Sequence, residues 1–432
     1  MRTTFRALAI RNYRMFATGG LVSNVGTWMQ RVAQDWLILV ITGGNAVALG
    51  ITTGLQFLPM LLITPYAGVI ADRFAKRKVL LVTQTAMGVT AVLLGLLAVT
   101  GLVQVWHVYV LAFVFGAGTA FDAPVRNAFV HDMVGRDNVA NAVGLNSASF
   151  NLARVLGPAA AGLLIGALGG EAYATGWVIL LNGLSYAAVV WMLLRMRVDE
   201  LARAEAVART KGMIREGFRY CRARPEIMLV LTVVFVAGTF GFNFQMTMAI
   251  MATEVYDRGA TEYGLLGSIM AVGSLVGALI AARRTVVRQR LVVGAAIAFG
   301  ITEAITGLMP TYVTFAVMLP LCGVTALTTM TAANAFVQMS VDPYIRGRVM
   351  ALYMAVFMGG KPVGAPLLGW VAEVFGGRWP LIGGGAITLV GTLLATLLFA
   401  RRKGLVLRAT MRPRPKVEML AREEHLARRA PA

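Results

Sequence analysis

Asn24, Trp28, Arg31 and Asp35 follow one another at steps of four, three and four within an otherwise almost wholly apolar stretch. On an α-helix that spacing puts all four on one face. The face carries an amide, an aromatic plate, a fixed cation and a carboxylate. It can grip a polar solute and, at Asp35, hold a proton. Gln34 lies beside the stripe, and Arg31 and Asp35 are four residues apart, close enough to pair along the helix. Arg154 and Lys361 each fall near the middle of another apolar stretch, and Glu303 lies inside a third. Ionisable groups at such depths are costly and therefore mark function. Gln56, Asn151, Asn243 and Gln245 complete the polar set expected to line a cavity. Arg31, Arg154 and Lys361 against Asp35 and Glu303 leave one surplus positive charge. An anionic ligand would neutralise it, and protein carbonyls and water are the alternative. Pro362, next to Lys361, removes a backbone donor and frees a carbonyl within its helix.

These residues need long apolar elements to hold them. The chain is 58% hydrophobic and 14% charged, whereas soluble domains are about a quarter charged. Apolar stretches long enough to cross ~30 Å of hydrocarbon as helices recur near 15–41, 46–71, 79–100, 105–125, 138–168, 173–195, 227–252, 261–282, 289–309, 312–333, 347–375 and 379–400. They do not alternate with period two, so helices suit them better than barrel strands. Asn127-Ala128-Phe129-Val130 returns as Asn334-Ala335-Phe336-Val337, an offset of 207 residues that also carries Gly116 onto Gly323, Gly157 onto Gly364, Gly162 onto Gly369 and Arg154 onto Lys361. One long period means two copies of one architecture. The reading is an all-α polytopic membrane protein with twelve transmembrane helices in two pseudo-symmetric six-helix bundles. Residues 1–198 form the first bundle, 199–225 an amphipathic cytoplasmic linker, 226–400 the second bundle and 401–432 a basic cytoplasmic tail.

The net charge of +20 does not mark a nucleic-acid binder. With the N-terminus inside, 35 of the 40 Lys and Arg fall on one side, and the outer loops hold only Arg258 and Arg378. That is the positive-inside pattern, with both termini cytoplasmic. No basic patch lies on a soluble module. Cys221 and Cys322 lie too far apart in depth to suggest a disulfide, and His107, His131 and His425 show no metal-ligand spacing. No phosphate-cradling loop is present, so neither enzymatic chemistry, a metal nor a cofactor is expected.

Between spans 2 and 3 runs Gly68-Val69-Ile70-Ala71-Asp72-Arg73-Phe74-Ala75-Lys76-Arg77-Lys78. This Gly-x-x-x-Asp-Arg-x-x-basic-basic pattern resembles the signature of the major facilitator superfamily, with Ala75 where many members have Gly. In that family the acid meets the cytoplasmic start of span 11 and holds the inner gate. The resemblance therefore implies a gate built on Gly68, Asp72, Arg73, Lys76 and Arg77, with Asp72 facing Arg346 and Arg348. The second half keeps Gly277 but has Ala281 in place of the acid. In span 5, Gly144, Gly157, Pro158 and Gly162 keep the spacing of proton-driven antiporters of the family, with Ala153 and Ala161 as substitutions. The segment Arg348-Val349-Met350-Ala351-Leu352 through Gly364-Ala365-Pro366-Leu367-Leu368-Gly369-Trp370 is similar to the branch containing bacterial enterobactin exporters.

The resemblance implies a monomeric secondary transporter of a bacterial-type inner membrane. It would exchange a small amphiphilic molecule for protons by rocking one half against the other, in contact with membrane lipid and without nucleic acid. Asp35 is the first candidate proton carrier and Glu303 the second. A proton-coupled uptake symporter is the alternative, and a non-transporting receptor or scaffold the remote one.

Overall fold

The computed structural model describes residues 5–201, 213–284, 286–403, 405–410 and 416–421, and the side chains of 64–73, 136, 213–215, 405–410 and 416–421 lie outside the description. The first half is six helices: α1 (Arg11–Thr42), α2 (Ala46–Arg73), α3 (Lys76–Val99), α4 (Val105–Val134), α5 (Val139–Ala167) and α6 (Ala172–Leu194). A linker helix, α7 (Met213–Arg222), follows. The second half holds α8 (Pro225–Val236) and α9 (Phe244–Ile250), which together make span 7, then α10 (Ala260–Ala282), α11 (Gln289–Gly307) and α12 (Tyr312–Ser340). Span 11 is α13 (Arg346–Gly359) plus α14 (Lys361–Phe375), and α15 (Trp379–Arg402) closes the bundle. Where a basic tail was expected, the backbone of β1 (Leu405–Thr410) pairs antiparallel with β2 (Lys416–Ala421).

Among the described residues, eleven spans are long and apolar enough to cross a membrane. The twelfth, α1, has 32 residues, about 48 Å of helix, but its polar stripe lowers its hydropathy. Two spans are broken. Span 7 carries π-turns at Ala237–Gly241 and Met251–Val255 on either side of α9, a feature that concentrates at functional sites. Span 11 breaks at Gly360, with Pro362 in the first turn of α14.

The 207-residue repeat reappears as packing. Gly157 of α5 admits the backbone of α1 at Val25 and Met29, while Gly364 admits span 7 at Thr239. Gly162 lies against α10 at Ala260 and Gly264, and Gly369 lies against α2 at Ala46. Gly116 meets α2 at Gln56, and Gly323 meets α10 at Met270. At each position a side chain would drive one helix off the other, so the small residues set the close approaches. Gly169 and Gly376, another repeated pair, end α5 and α14 with φ of 97° and 100°, angles that favour glycine.

The halves meet through α5 with α10 and through α2 with span 11. The α5 contacts run from Val155 to Gly166 against Ala260 to Ser268, and the α2 contacts from Ala46 to Leu61 against Gly359 to Glu373. All lie toward one end of the molecule, the end carrying the α1–α2 and α5–α6 turns. Toward the other end, which carries the linker, no atom lies within 4 Å of a Cβ placed on Gly144. Among the described residues the contacts between the halves therefore gather at one end, the closed end, and leave the other parted.

At the closed end, Pro158 interrupts α5. The neighbouring Ala159 N–H donates to Ser268 Oγ (2.9 Å), which in turn donates to Val155 O (2.5 Å). A hydroxyl from the second half thus bridges a break in a helix of the first. Glu373 of α14 accepts from Ala46 N (3.2 Å) and so caps α2 across the same interface.

Candidate functional site

A cavity of about 230 Å³ lies between the halves, and its wall deepens along α10 and α12 toward the parted end. Of the residues expected to line it, Trp28, Arg31, Asp35, Gln56, Arg154, Asn243, Gln245 and Lys361 do so.

The Asp35 carboxylate crosses the interface. Gln245 Nε2 donates to its Oδ2 at 2.6 Å and the Tyr263 hydroxyl donates to the same oxygen at 2.9 Å, both from the second half. Trp36 stacks on Tyr263 with ring centroids 6.4 Å apart, which fixes the tyrosine. The Arg31–Asp35 ion pair that the spacing allows is not formed: the Arg31 guanidinium lies 4.8 Å over the Trp28 ring, and Asp35 takes its donors from the opposite half. Gln245 reaches it from α9, which lies against α1 and α2, and Tyr263 reaches it from the first turn of α10. Lys361 Nζ stands 4.3 Å over the Phe57 ring. Arg154 Nη2 donates to Asn151 Oδ1 at 3.3 Å. The Nε atoms of Arg31 and Arg154 are buried without a hydrogen-bond partner.

Three residues expected to line the cavity, Asn151, Asn24 and Gln34, are not on its described wall. Asn151 supports Arg154 from the side. Asn24 is a turn beyond Trp28, past the enclosed space. Gln34 is buried 100° around the helix from Asp35, one turn above Gln30, which accepts from Asn182 of α6 at 2.5 Å. Glu303 is 1% exposed in the interior of the second half, where Gly241 of the π-turn and Gly384 of α15 leave room for its carboxyl. Its Oε2 has no partner, and the stacked Phe242 and Phe299 rings, 4.8 Å apart, separate it from the cavity.

The spacing motifs divide. Gly157, Pro158 and Gly162 act in packing at the closed end, whereas Gly144 faces open space. Lys76 pairs with Asp132 at 2.7 Å, and Arg77 donates to the Leu193 and Leu194 carbonyls at 2.7 and 3.1 Å, so both tie the first half to itself. Gly68, Asp72 and Arg73 lie outside the described side chains. Arg348, their expected counterpart, pairs with Glu216 of α7. Asp122 serves the first bundle, held by Arg126 at 2.9 Å, Gln84 at 2.7 Å and Thr83 at 3.1 Å.

Sequence reading missed Tyr263, Phe57 and Ser268. Tyr263 sits in the first turn of α10 on no polar stripe, and a lone tyrosine in an apolar helix carries no signal of its partner.

A family model described as transmembrane secretion effector matches residues 2–423. The staphyloferrin A transporter of Staphylococcus aureus is 23% identical over 89% of this chain and 95% of its own length. The multidrug efflux pump Tap of Mycolicibacterium fortuitum is 25% identical over 82% and 88%. The enterobactin exporter EntS of Shigella boydii is 24% identical over 92% of each. Among solved structures, a D-xylose-proton symporter superposes with a TM-score of 0.70 at 12% identity, covering 89% of this chain and 96% of that one. A bacterial homologue of the lysosomal transporter Spinster gives 0.68 at 14%, covering 90% and 96%. Likeness at these identities shows the fold. With the family match over nearly the whole chain and the bipartite cavity, the protein belongs to the transmembrane secretion effector family of major facilitator transporters.

Proposed function

We propose that the chain exports a small amphiphilic molecule from a bacterial cell in exchange for protons, by alternating access of the cavity between residues 1–198 and 226–400. The observation that carries this reading is Asp35: a carboxylate on the cavity wall whose two donors both come from the opposite half. Charge-assisted hydrogen bonds are roughly twice as strong as neutral ones. Ionised Asp35 therefore holds the closed end shut and keeps an empty carrier from turning, and a proton on Asp35 weakens that hold. The sorting of Lys and Arg assigns the parted end to the cytoplasm. Relatives named as siderophore and multidrug exporters favour outward transport.

Proteoliposomes with an imposed pH gradient test the proposal. Asp35→Asn removes substrate flux driven by the gradient and leaves gradient-free exchange measurable. Survival of pH-driven flux at the wild-type rate refutes Asp35 as the carrier and moves the role to Glu303.

A further inference from the structure

Three cations reach the cavity wall from three helices: Arg31 from α1, Arg154 from α5 and Lys361 from α14. Among the described residues, none of them has an ion pair. Arg31 lies over the Trp28 face and feels Asp35 only at a distance, Lys361 lies over the Phe57 face, and Arg154 has one long bond to a neutral amide. Arg31 and Lys361 belong to opposite halves, yet they lie close enough to interact electrostatically. Two acids inside the spans lie elsewhere. Asp122 is bonded to Arg126, Gln84 and Thr83 within the first half. Glu303 is sealed inside the second. Asp35 alone shares the wall, and its Oδ2 is already held by Gln245 and Tyr263. The described wall therefore carries three cations against one carboxylate, an excess of two positive charges. Two buried guanidinium nitrogens there also lack acceptors.

Guanidinium groups present planar, forked donors that match carboxylates. The remainder of the wall is apolar and aromatic, with Trp28, Phe57, Phe242 and Phe244. We infer that the transported molecule is an amphiphilic dianion, a flat apolar body carrying two acid groups that take Arg31, Arg154 and Lys361 as their counter-charges. This rests on the transport reading above and adds to it the charge of the substrate. The ligand also screens Arg31 from Lys361, so its binding favours bringing the two halves together around it.

Terephthalate, its dimethyl ester and p-xylylenediamine share one ring and differ in charge, which makes them the probes. Binding is measured by calorimetry on the purified full-length protein in nanodiscs. Wild type binds terephthalate more tightly than the ester, and the diamine least. Lys361→Met weakens terephthalate by about tenfold or more and leaves the ester within about twofold, and Arg154→Gln, an independent variant, does the same. Lys361→Arg restores most of the affinity. Absence of terephthalate binding to wild type, equal affinity for the ester, preference for the diamine, or equal weakening of all ligands by both variants overturns the inference. Counterflow in proteoliposomes separates it from the transport reading. Flux of the ester or diamine without preference for terephthalate refutes the charge assignment alone. Terephthalate binding without flux of any probe refutes transport alone.

Discussion

Tyr263→Phe isolates the link between the halves at Asp35. The substitution removes one oxygen and leaves the ring, its stacking on Trp36 and the packing of α10 in place. What is lost is a 2.9 Å hydrogen bond to a carboxylate that is 3% exposed, from a tyrosine 1% exposed. Burial at both ends means solvent screening does not discount it. A hydrogen bond to a charged group contributes about 1.5–3 kcal/mol, or roughly ten- to 150-fold in a conformational equilibrium. Gln245, still 2.6 Å from the same oxygen, retains part of the hold, so the effect falls at the lower end, about tenfold. The population should shift toward opening at the now closed end. Spin labels at Leu102→Cys, in the α3–α4 turn, and Leu308→Cys, after α11, report it, because both sites are exposed and lie in opposite halves at that end. A longer-distance population that grows about tenfold supports the latch. In an Asp35→Asn background the same Tyr263→Phe change should add little, as expected for two groups that act through one bond. An unchanged distance distribution, or an undiminished effect in the Asp35→Asn background, refutes the latch.

Gly162→Val places a branched side chain where Cβ alone would stand 2.5 Å from Ala260 O and 2.9 Å from Gly264 Cα, both backbone atoms. Closure at that end should weaken by about 1–3 kcal/mol, read by the same spin-label pair, and retention of the wild-type distances would count against the packing argument. Asp72→Asn should shift the carrier toward opening at the end that carries the linker, and cysteine labelling of the two mouths measures it; equal accessibility of both mouths in variant and wild type would remove the gate role. Cys221, in α7 outside the spans, is buried, and that burial pushes its thiol up to about 11. At pH 8 the thiolate is then about one part in a thousand, so maleimide should label the native protein slowly and the detergent-unfolded protein at once. Because the folded value lies above the unfolded one, this group's contribution to stability is intact below about pH 9 and is lost as pH rises through about 11. Native labelling as fast as that of unfolded protein would show that α7 does not stay docked.

The sequence by itself determined the parts that depend on local composition and on repetition. Apolar runs of membrane length can only become helices in lipid, because every backbone donor must be met within its own segment. The 207-residue offset determined which glycines would serve equivalent close approaches, and Gly157 with Gly364 and Gly162 with Gly369 do so. The helical stripe of Trp28, Arg31 and Asp35 followed from a 3.6-residue turn, and the same rule applied more strictly would have turned Gln34 away from it. Depth along a helix is legible as well, which is why Arg154 and Lys361 could be matched before any contact was known.

Partners were decided only by the tertiary structure. Arg31 and Asp35 are spaced to pair, yet Asp35 is taken by Gln245 and Tyr263, more than 200 residues away. Glu303 and Asp35 are both acids inside spans, and nothing local says that one faces a cavity while two phenylalanine rings seal the other behind them. The rotation of a membrane helix about its axis is set by which small residues let a neighbour approach, here the π-turn of span 7 against Gly360 and Gly364. That rotation decides which charges share a wall, and so turns an expected surplus of one positive charge into an observed surplus of two.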